Sequence, residues 1–154
     1  MAQENVPPTN SFIVTGQIKK DLNVTFDDLS KMAAITIGDF TVTNHKGEVK
    51  SKGENLKGVL LKDILARLEF NTDQPKLLSE YYFTLTASDN YKVVYSWNEI
   101  FNNPAGNGIY IVVEKNGKSL KLMDDRILVI SLSDFATGRR NIKSLNKIFV
   151  NRTE

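Results

Sequence analysis

The apolar run Phe12-Ile13-Val14-Thr15-Gly16-Gln17-Ile18 predicts a first strand. Phe26, Leu29 and Met32 then share the spacing of one helical face. Thr25 stands before them and Asp28 follows three residues on, a capping box with a shorter acid. Ile35, Ile37, Phe40 and Val42 predict either a strand pair or one strand with a bulge at Gly38. Asn44-His45-Lys46-Gly47 reads as a turn, and the polar run to Asn55 as an edge strand or a loop. Val59, Leu60, Ile64, Leu65 and Leu68 recur at helical spacing, which predicts an amphipathic helix over roughly Leu60 to Leu68.

The second half is richer in strands. Tyr81 to Ala87 is dense in strand-favouring residues, Asp89-Asn90 suits a tight turn, and Tyr91 to Tyr95 returns as the partner. Ser96 and Glu99 make a second capping box, opening a short helix that carries Trp97, Ile100 and Phe101. Asn102 to Gly108 reads as a loop. Ile109 to Glu114 and Lys118 to Leu122 predict a hairpin around Asn116-Gly117, and Arg126 to Leu132 and Leu145 to Val150 the last two strands. Strands and helices do not alternate strictly. The pattern therefore favours an α+β fold, strand-rich, with mostly antiparallel or mixed sheets and three short helices.

Composition narrows the class further. With 154 residues and 41% hydrophobic content the chain suits one domain, read here as 12–151 behind a flexible leader at 1–11. The leader is polar and carries Pro7 and Pro8, and it fits a chain whose export signal has been removed. The expected location is accordingly periplasmic or otherwise exported, in a bacterial setting, with the cytoplasm as the alternative. A net charge of +2 argues against nucleic acid as a partner, and no apolar run approaches the ~20 residues of a membrane helix. The chain has no cysteine, which removes disulfides, thiolate metal sites and cysteine nucleophiles together.

Charge is unusual in one place only. Gly138-Arg139-Arg140-Asn141-Ile142-Lys143 sets three cations beside a glycine, and the run continues to Arg152 without an acid. Cations that close repel unless an anion or water lies among them, so a phosphate or carboxylate is the natural guest. The plainer reading is a solvated basic strand end. His45 is the single histidine and sits in a turn sequence. Asp89 suits a turn that bonds its own backbone, and Asp124-Asp125 reads as solvent-facing. Most of Tyr81, Tyr82, Tyr91, Tyr95 and Trp97 are expected in the core. Asn23-Val24-Thr25 and Asn151-Arg152-Thr153 match the glycosylation pattern, which chance often produces.

In order and spacing, these elements resemble the molybdopterin-binding domain of the sulfite oxidase family from about Phe12 to Val150. The resemblance is carried by Phe12 to Ile18 with Thr25-Phe26-Asp27-Asp28-Leu29, by Leu56-Lys57-Gly58-Val59-Leu60, and by Ala87-Ser88-Asp89-Asn90-Tyr91. It continues in Asn116-Gly117-Lys118-Ser119-Leu120, Asp125-Arg126-Ile127-Leu128 and the Gly138 to Ile148 ending. It implies that a pterin's phosphate tail lies against Arg126, Arg140 and Lys143, with Gly138 letting the backbone approach. It also brings Asn44, His45 and Asp89 to the cofactor, which would be molybdopterin or another pterin.

Three departures bear on activity. Leu56 stands where the family usually has tryptophan. The metal-binding cysteine segment falls at Thr43-Asn44-His45-Lys46-Gly47, which holds no thiol. Lys121 stands near the place of a histidine that many members carry. The sequence therefore reads as a non-catalytic, pterin-binding-like domain that takes an anionic small molecule or keeps the fold alone, with no metal held by the protein itself. Two alternatives stay open: a divergent molybdenum-dependent oxidoreductase, and an exported protein-interaction domain.

Overall fold

The computed structural model describes residue 3 and residues 6–154. The part of the expected leader at residues 1, 2, 4 and 5 lies outside the described residues. Ten strands form two five-stranded sheets, and three helices of five residues each cap them. The α+β, strand-rich class expected from the sequence is the class observed.

The first sheet runs β2 (Leu22–Thr25), β1 (Ser11–Gly16), β10 (Leu145–Arg152), β5 (Tyr81–Ala87), β6 (Lys92–Ser96). All its pairings are antiparallel except β1 with β10, which run parallel. A Cβ on Gly16 would sit 2.3 Å from the Val150 carbonyl oxygen, so only glycine fits where β1 leaves β10. Asn90 adopts φ +69° in the β5–β6 turn, as a tight Asp-Asn turn requires. β2 was not foreseen: its sequence, Leu22-Asn23-Val24-Thr25, has a single apolar alternation too short to register as a strand.

The second sheet runs β3 (Ile35–Thr43), β4 (Val49–Leu60), β7 (Ile109–Lys115), β8 (Lys118–Ser119), and β9 (Leu128–Ser131) pairs with β7 beyond β8. The register of β3 against β4 shifts on both sides of Gly38, so the bulge alternative holds. The polar run before Asn55 is a strand, the start of β4. Asn116 and Gly117 take φ +54° and +76°, the pair of positive angles that a two-residue hairpin turn needs.

Both capping boxes form. Thr25 opens α1 (Phe26–Ser30), with the Asp28 N–H donating to Thr25 Oγ1 at 3.3 Å and the Thr25 N–H to Asp28 Oδ2 at 2.9 Å. Ser96 opens α3 (Trp97–Phe101) through the reciprocal pair with Glu99 at 3.0 and 2.9 Å. α2 (Leu61–Leu65) is shorter than its apolar spacing predicts. Its last turn tightens, with the Arg67 N–H on the Ile64 carbonyl and the Leu68 N–H on the Leu65 carbonyl.

One continuous core draws on both sheets and all three helices. Leu29, Leu61, Ile64, Leu65 and Ile100 are the buried faces of the helices. Tyr81 and Tyr95 are fully buried and Trp97 packs against the core, as expected of that aromatic group. No helix among the described residues is long and apolar enough to cross a membrane.

The segment before β1 is tied to the body. The Thr9 N–H donates to the Arg126 carbonyl at 2.8 Å, and Thr9 Oγ1 donates to the Leu145 carbonyl at 2.7 Å and accepts the Ile127 N–H at 3.2 Å. Ser88 Oγ donates to the Pro7 carbonyl at 2.9 Å. A free leader would make none of these bonds. They also explain why the strand expected at Arg126 starts only at Leu128: Thr9 satisfies the backbone groups that a longer ladder would have used.

Candidate functional site

The cationic word Gly138 to Lys143 begins in a turn and bridges to β9 at Ile142, and its members part company. Gly138 is buried, and its N–H donates to the Thr43 carbonyl at 2.8 Å. Thr137 and Thr43 exchange bonds beside it: Thr43 N–H to Thr137 Oγ1 at 2.9 Å and Thr137 N–H to Thr43 Oγ1 at 3.1 Å. This zipper fastens the word to the end of β3. It brings Gly138 beside Thr43, the residue before Asn44.

Arg140 is committed within the protein. Its Nε and Nη2 donate to both oxygens of Asp134 at 3.0 and 2.8 Å, and Nη1 donates to Glu99 Oε2 at 2.9 Å and to the Val94 carbonyl at 3.2 Å. The guanidinium also lies 4.3 Å from the centre of the Tyr95 ring. The Asp134 bonds, opposed by burial and aided by Glu99, hold the Arg140 pKa above its ordinary value. Burial pushes the Tyr95 phenol upward in turn. Two carboxylates, a carbonyl and a ring leave this fork little capacity for a phosphate. Glu99 serves twice, since its other oxygen caps Ser96.

Arg126 lies elsewhere. Its Nε donates to Asn10 Oδ1 at 3.2 Å and its Nη1 to the Met123 carbonyl at 3.1 Å. Lys143 differs from both arginines: its ammonium has no hydrogen-bond or ion-pair partner among the described residues. Among the described residues, the cavities beside Arg140 and Lys143 are different ones. Arg140 borders a shallow depression beside Phe135, and Lys143 borders a separate cleft. Arg126 lines neither.

The remaining expected positions are turn residues. Asn44 Oδ1 accepts the N–H groups of Lys46 and Glu48 at 2.9 and 3.0 Å, and its amide donates to Glu48. His45 is exposed at the tip of that turn. Asp89 Oδ1 accepts the Tyr91 N–H at 3.0 Å, the local turn bond, and also Gln3 Nε2 at 3.3 Å. No group of three or more metal-binding side chains occurs among the described residues.

The cleft beside Lys143 has two adjoining chambers that share Lys115, Asp125 and Lys143. The inner one, about 130 Å³, is walled by Phe40, Val42, Leu56 and Leu128, and by Asn141 at its polar side. Asn141 is 6% exposed, and its Oδ1 has no hydrogen-bond partner. A buried polar atom without a partner is costly and calls for a reason; the Tyr81 and Tyr95 hydroxyls and Ser144 Oγ share that state, and of the four residues Asn141 is the one that lines this cleft. The outer chamber, about 250 Å³, adds Asn116, Lys118 and Asp124.

Lys115 Nζ sits 2.6 Å from Asp125 Oδ2, with the Asp125 side chain only 16% exposed. This corrects the solvent-facing reading of Asp125. Asp125 lies in the turn before β9, not in a strand, and that turn carries its carboxylate inward, where Lys115 from the end of β7 neutralises it. With Lys115 and Asp125 paired, Lys118 and Lys143 face one acid, Asp124, and the lining keeps a positive surplus. An anionic group in the outer chamber and a flat, largely apolar body in the inner one match these walls.

Sequence reasoning missed Lys115, Lys118 and Asn141. Asn141 lay inside the very word singled out for its cations, and a polar residue flanked by buried Ile142 was its available signal. Lys115 and Lys118 flank the Asn116-Gly117 turn, whose hairpin folds them to one end.

No protein-family profile matches the chain, and no curated protein matches it. Among solved structures, the chain is similar to the crystal structure of the sulfane dehydrogenase SoxCD from Paracoccus pantotrophus. The TM-score is 0.61 at 13% identity, covering 91% of this chain and 37% of that one. At that identity the likeness is one of fold, and the chain spans 37% of the length of the protein it matches.

Proposed function

We propose that the chain is a non-catalytic binding domain on a molybdopterin-binding type of fold, taking a pterin-like or other anionic small molecule in the two-chambered cleft. One observation carries this reading: Asn141, whose buried Oδ1 has no partner, lines the same cleft as Lys143, whose ammonium is unpaired among the described residues. A guest that donates a hydrogen bond inside and presents negative charge outside satisfies both. The fold of a solved sulfane dehydrogenase supports the pterin class by analogy of architecture.

Molybdopterin divides into a metal half and an organic half. Among the described residues no group of three or more metal-binding side chains awaits a metal: the chain has no cysteine, Asn44 is bound up in its own turn, and His45 is exposed. Soft thiolate coordination is therefore unavailable. The organic half fits better, since the cleft offers apolar walls, a buried amide acceptor and two lysines beyond the Lys115–Asp125 pair. No redox step is assigned to these residues.

Calorimetric titration of the chain with inorganic pyrophosphate and with a pterin phosphate tests the reading. Saturable binding that weakens about tenfold in Lys143→Ala supports it, this being the scale of one charge-assisted hydrogen bond. Absence of binding to both probes overturns it. Stoichiometric molybdenum in protein from a molybdenum-competent host would replace it with the oxidoreductase alternative.

A further inference from the structure

Gln3 lies near the start of the chain, where glutamine is usually solvated, yet it is 8% exposed. Its side-chain Oε1 accepts the Lys143 N–H at 2.8 Å. Its Nε2 donates to the Lys143 carbonyl at 2.8 Å and to Asp89 Oδ1 at 3.3 Å. Only one orientation of the amide satisfies all three partners. Taken in order, the occupant presents an acceptor, a donor and a second donor. The protein presents the complement: a backbone N–H, a backbone C=O and a carboxylate. The Lys143 N–H and C=O both meet the one Gln3 amide, so Lys143 offers both at once.

That complement has a chemical identity beyond glutamine. A ring with a carbonyl, an adjacent ring N–H and a neighbouring exocyclic amine carries the same acceptor–donor–donor order. Guanine and 2-amino-4-oxo pterins have this edge. Hypoxanthine lacks the amine, and adenine reverses the polarity of the first two positions. We infer that the Lys143 backbone and the Asp89 carboxylate form a recognition slot for such a lactam–amine edge, and that Gln3 occupies it in cis. Lys143 also lines the cleft whose outer chamber takes the anionic part of the guest, so a ring edge held in the slot leaves the inner chamber to another part of that guest.

The inference rests on the cleft reading and names the guest's ring class and an internal competitor for it. Gln3 is held near the slot by its own chain, which the Pro7, Thr9 and Asn10 bonds anchor to the same face. A tethered occupant lowers the apparent affinity of any guest by the fraction of time the slot is filled. Removing its side chain should therefore tighten binding of the matching ring and leave a simple anion unaffected.

The test is calorimetric titration of the full chain with guanosine, inosine and adenosine 5′-monophosphates and with inorganic pyrophosphate, at fixed ionic strength. Gln3→Ala is expected to bind the guanosine nucleotide about tenfold more tightly than the unaltered chain, as removal of a competitor filling nine-tenths of the slots gives. The inosine nucleotide binds more weakly and the adenosine nucleotide not measurably, while pyrophosphate affinity stays the same. Gln3→Glu, which keeps the size and loses the donors, shows the same gain, and Asp89→Asn abolishes the guanosine preference over inosine. If neither Gln3 variant tightens the guanosine nucleotide, or adenosine binds equally well, while pyrophosphate still binds, the slot is overturned and the cleft reading stands. If pyrophosphate and all nucleotides fail to bind, both fall.

Discussion

Arg140 and Lys143 stand three residues apart in one cationic word, and the fold puts them to opposite uses. Around Arg140, the guanidinium is fully engaged, although the Tyr95 hydroxyl stays unpartnered: Asp134 takes the fork, Glu99 and the Val94 carbonyl take Nη1, and the Tyr95 ring covers the face. Around Lys143, groups are left open: its ammonium is unpaired and Asn141 Oδ1 beside it has no partner. The first region has the chemistry of a fastener joining the 134–140 loop to β6 and α3. The second has the chemistry of a binding site. Clustered positive charge in a sequence does not distinguish the two. What distinguishes them is whether acids from distant elements arrive to meet it.

The comparison breaks most visibly at Arg140. Arg140→Ala strands two carboxylates, one of them with a side chain only 16% exposed, and is expected to cost about 3 kcal/mol in urea unfolding. Arg140→Lys keeps the charge but not the planar fork, and recovers only part of that loss. A near-neutral Arg140→Ala would show that the fastener carries little.

Lys143→Ala should do the reverse. Stability stays within about 0.5 kcal/mol, since no internal partner is lost. Pyrophosphate affinity falls about tenfold, which titration calorimetry reads directly. Loss of fold with no change in affinity would invert the assignment of the two regions.

Asn141→Leu sharpens the comparison from inside the cleft. It removes a buried acceptor without a partner, so unfolding should be unchanged or harder by up to about 1 kcal/mol, while guest affinity drops. A markedly destabilised variant would mean that Asn141 has a structural partner after all.

The smallest effect belongs to a control remote from both regions. The Thr25 backbone N–H, then the Thr25 hydroxyl, hold the Asp28 carboxylate below its ordinary value of 3.8. A group lowered in the folded state stabilises above its unfolded value and loses that contribution as pH falls through its folded one. Asp28→Ala should therefore cost about 0.5 kcal/mol at neutral pH and almost nothing near pH 2, by thermal unfolding at both. An equal penalty at both pH values would deny the capping role.

The sequence shows why the fold was more legible than the site. Both capping boxes, the Asn116-Gly117 hairpin, the Gly38 bulge and most strands announce themselves through local chemistry, which the chain carries in a few adjacent residues. The site depends on encounters between distant segments. Asp134 and Glu99 reach Arg140 across 6 and 41 residues, and Lys115 reaches Asp125 across a hairpin. Asp134 stands close by in the sequence, but nothing there says that it turns to Arg140, that Glu99 joins it, or that Lys143 is left without an acid. Pro7 to Asn10 look solvated until the Arg126 and Leu145 carbonyls and the Ser88 hydroxyl are known to lie beside them.

The most direct test follows backbone and side-chain amide signals of the isotope-labelled chain by nuclear magnetic resonance while pyrophosphate is added. The account predicts saturable shifts at Lys115, Lys118, the Asn141 amide and Lys143, with the Arg140 Nε signal unmoved. Shifts centred on Arg139 and Arg140, with Asn141 and Lys143 silent, would contradict it.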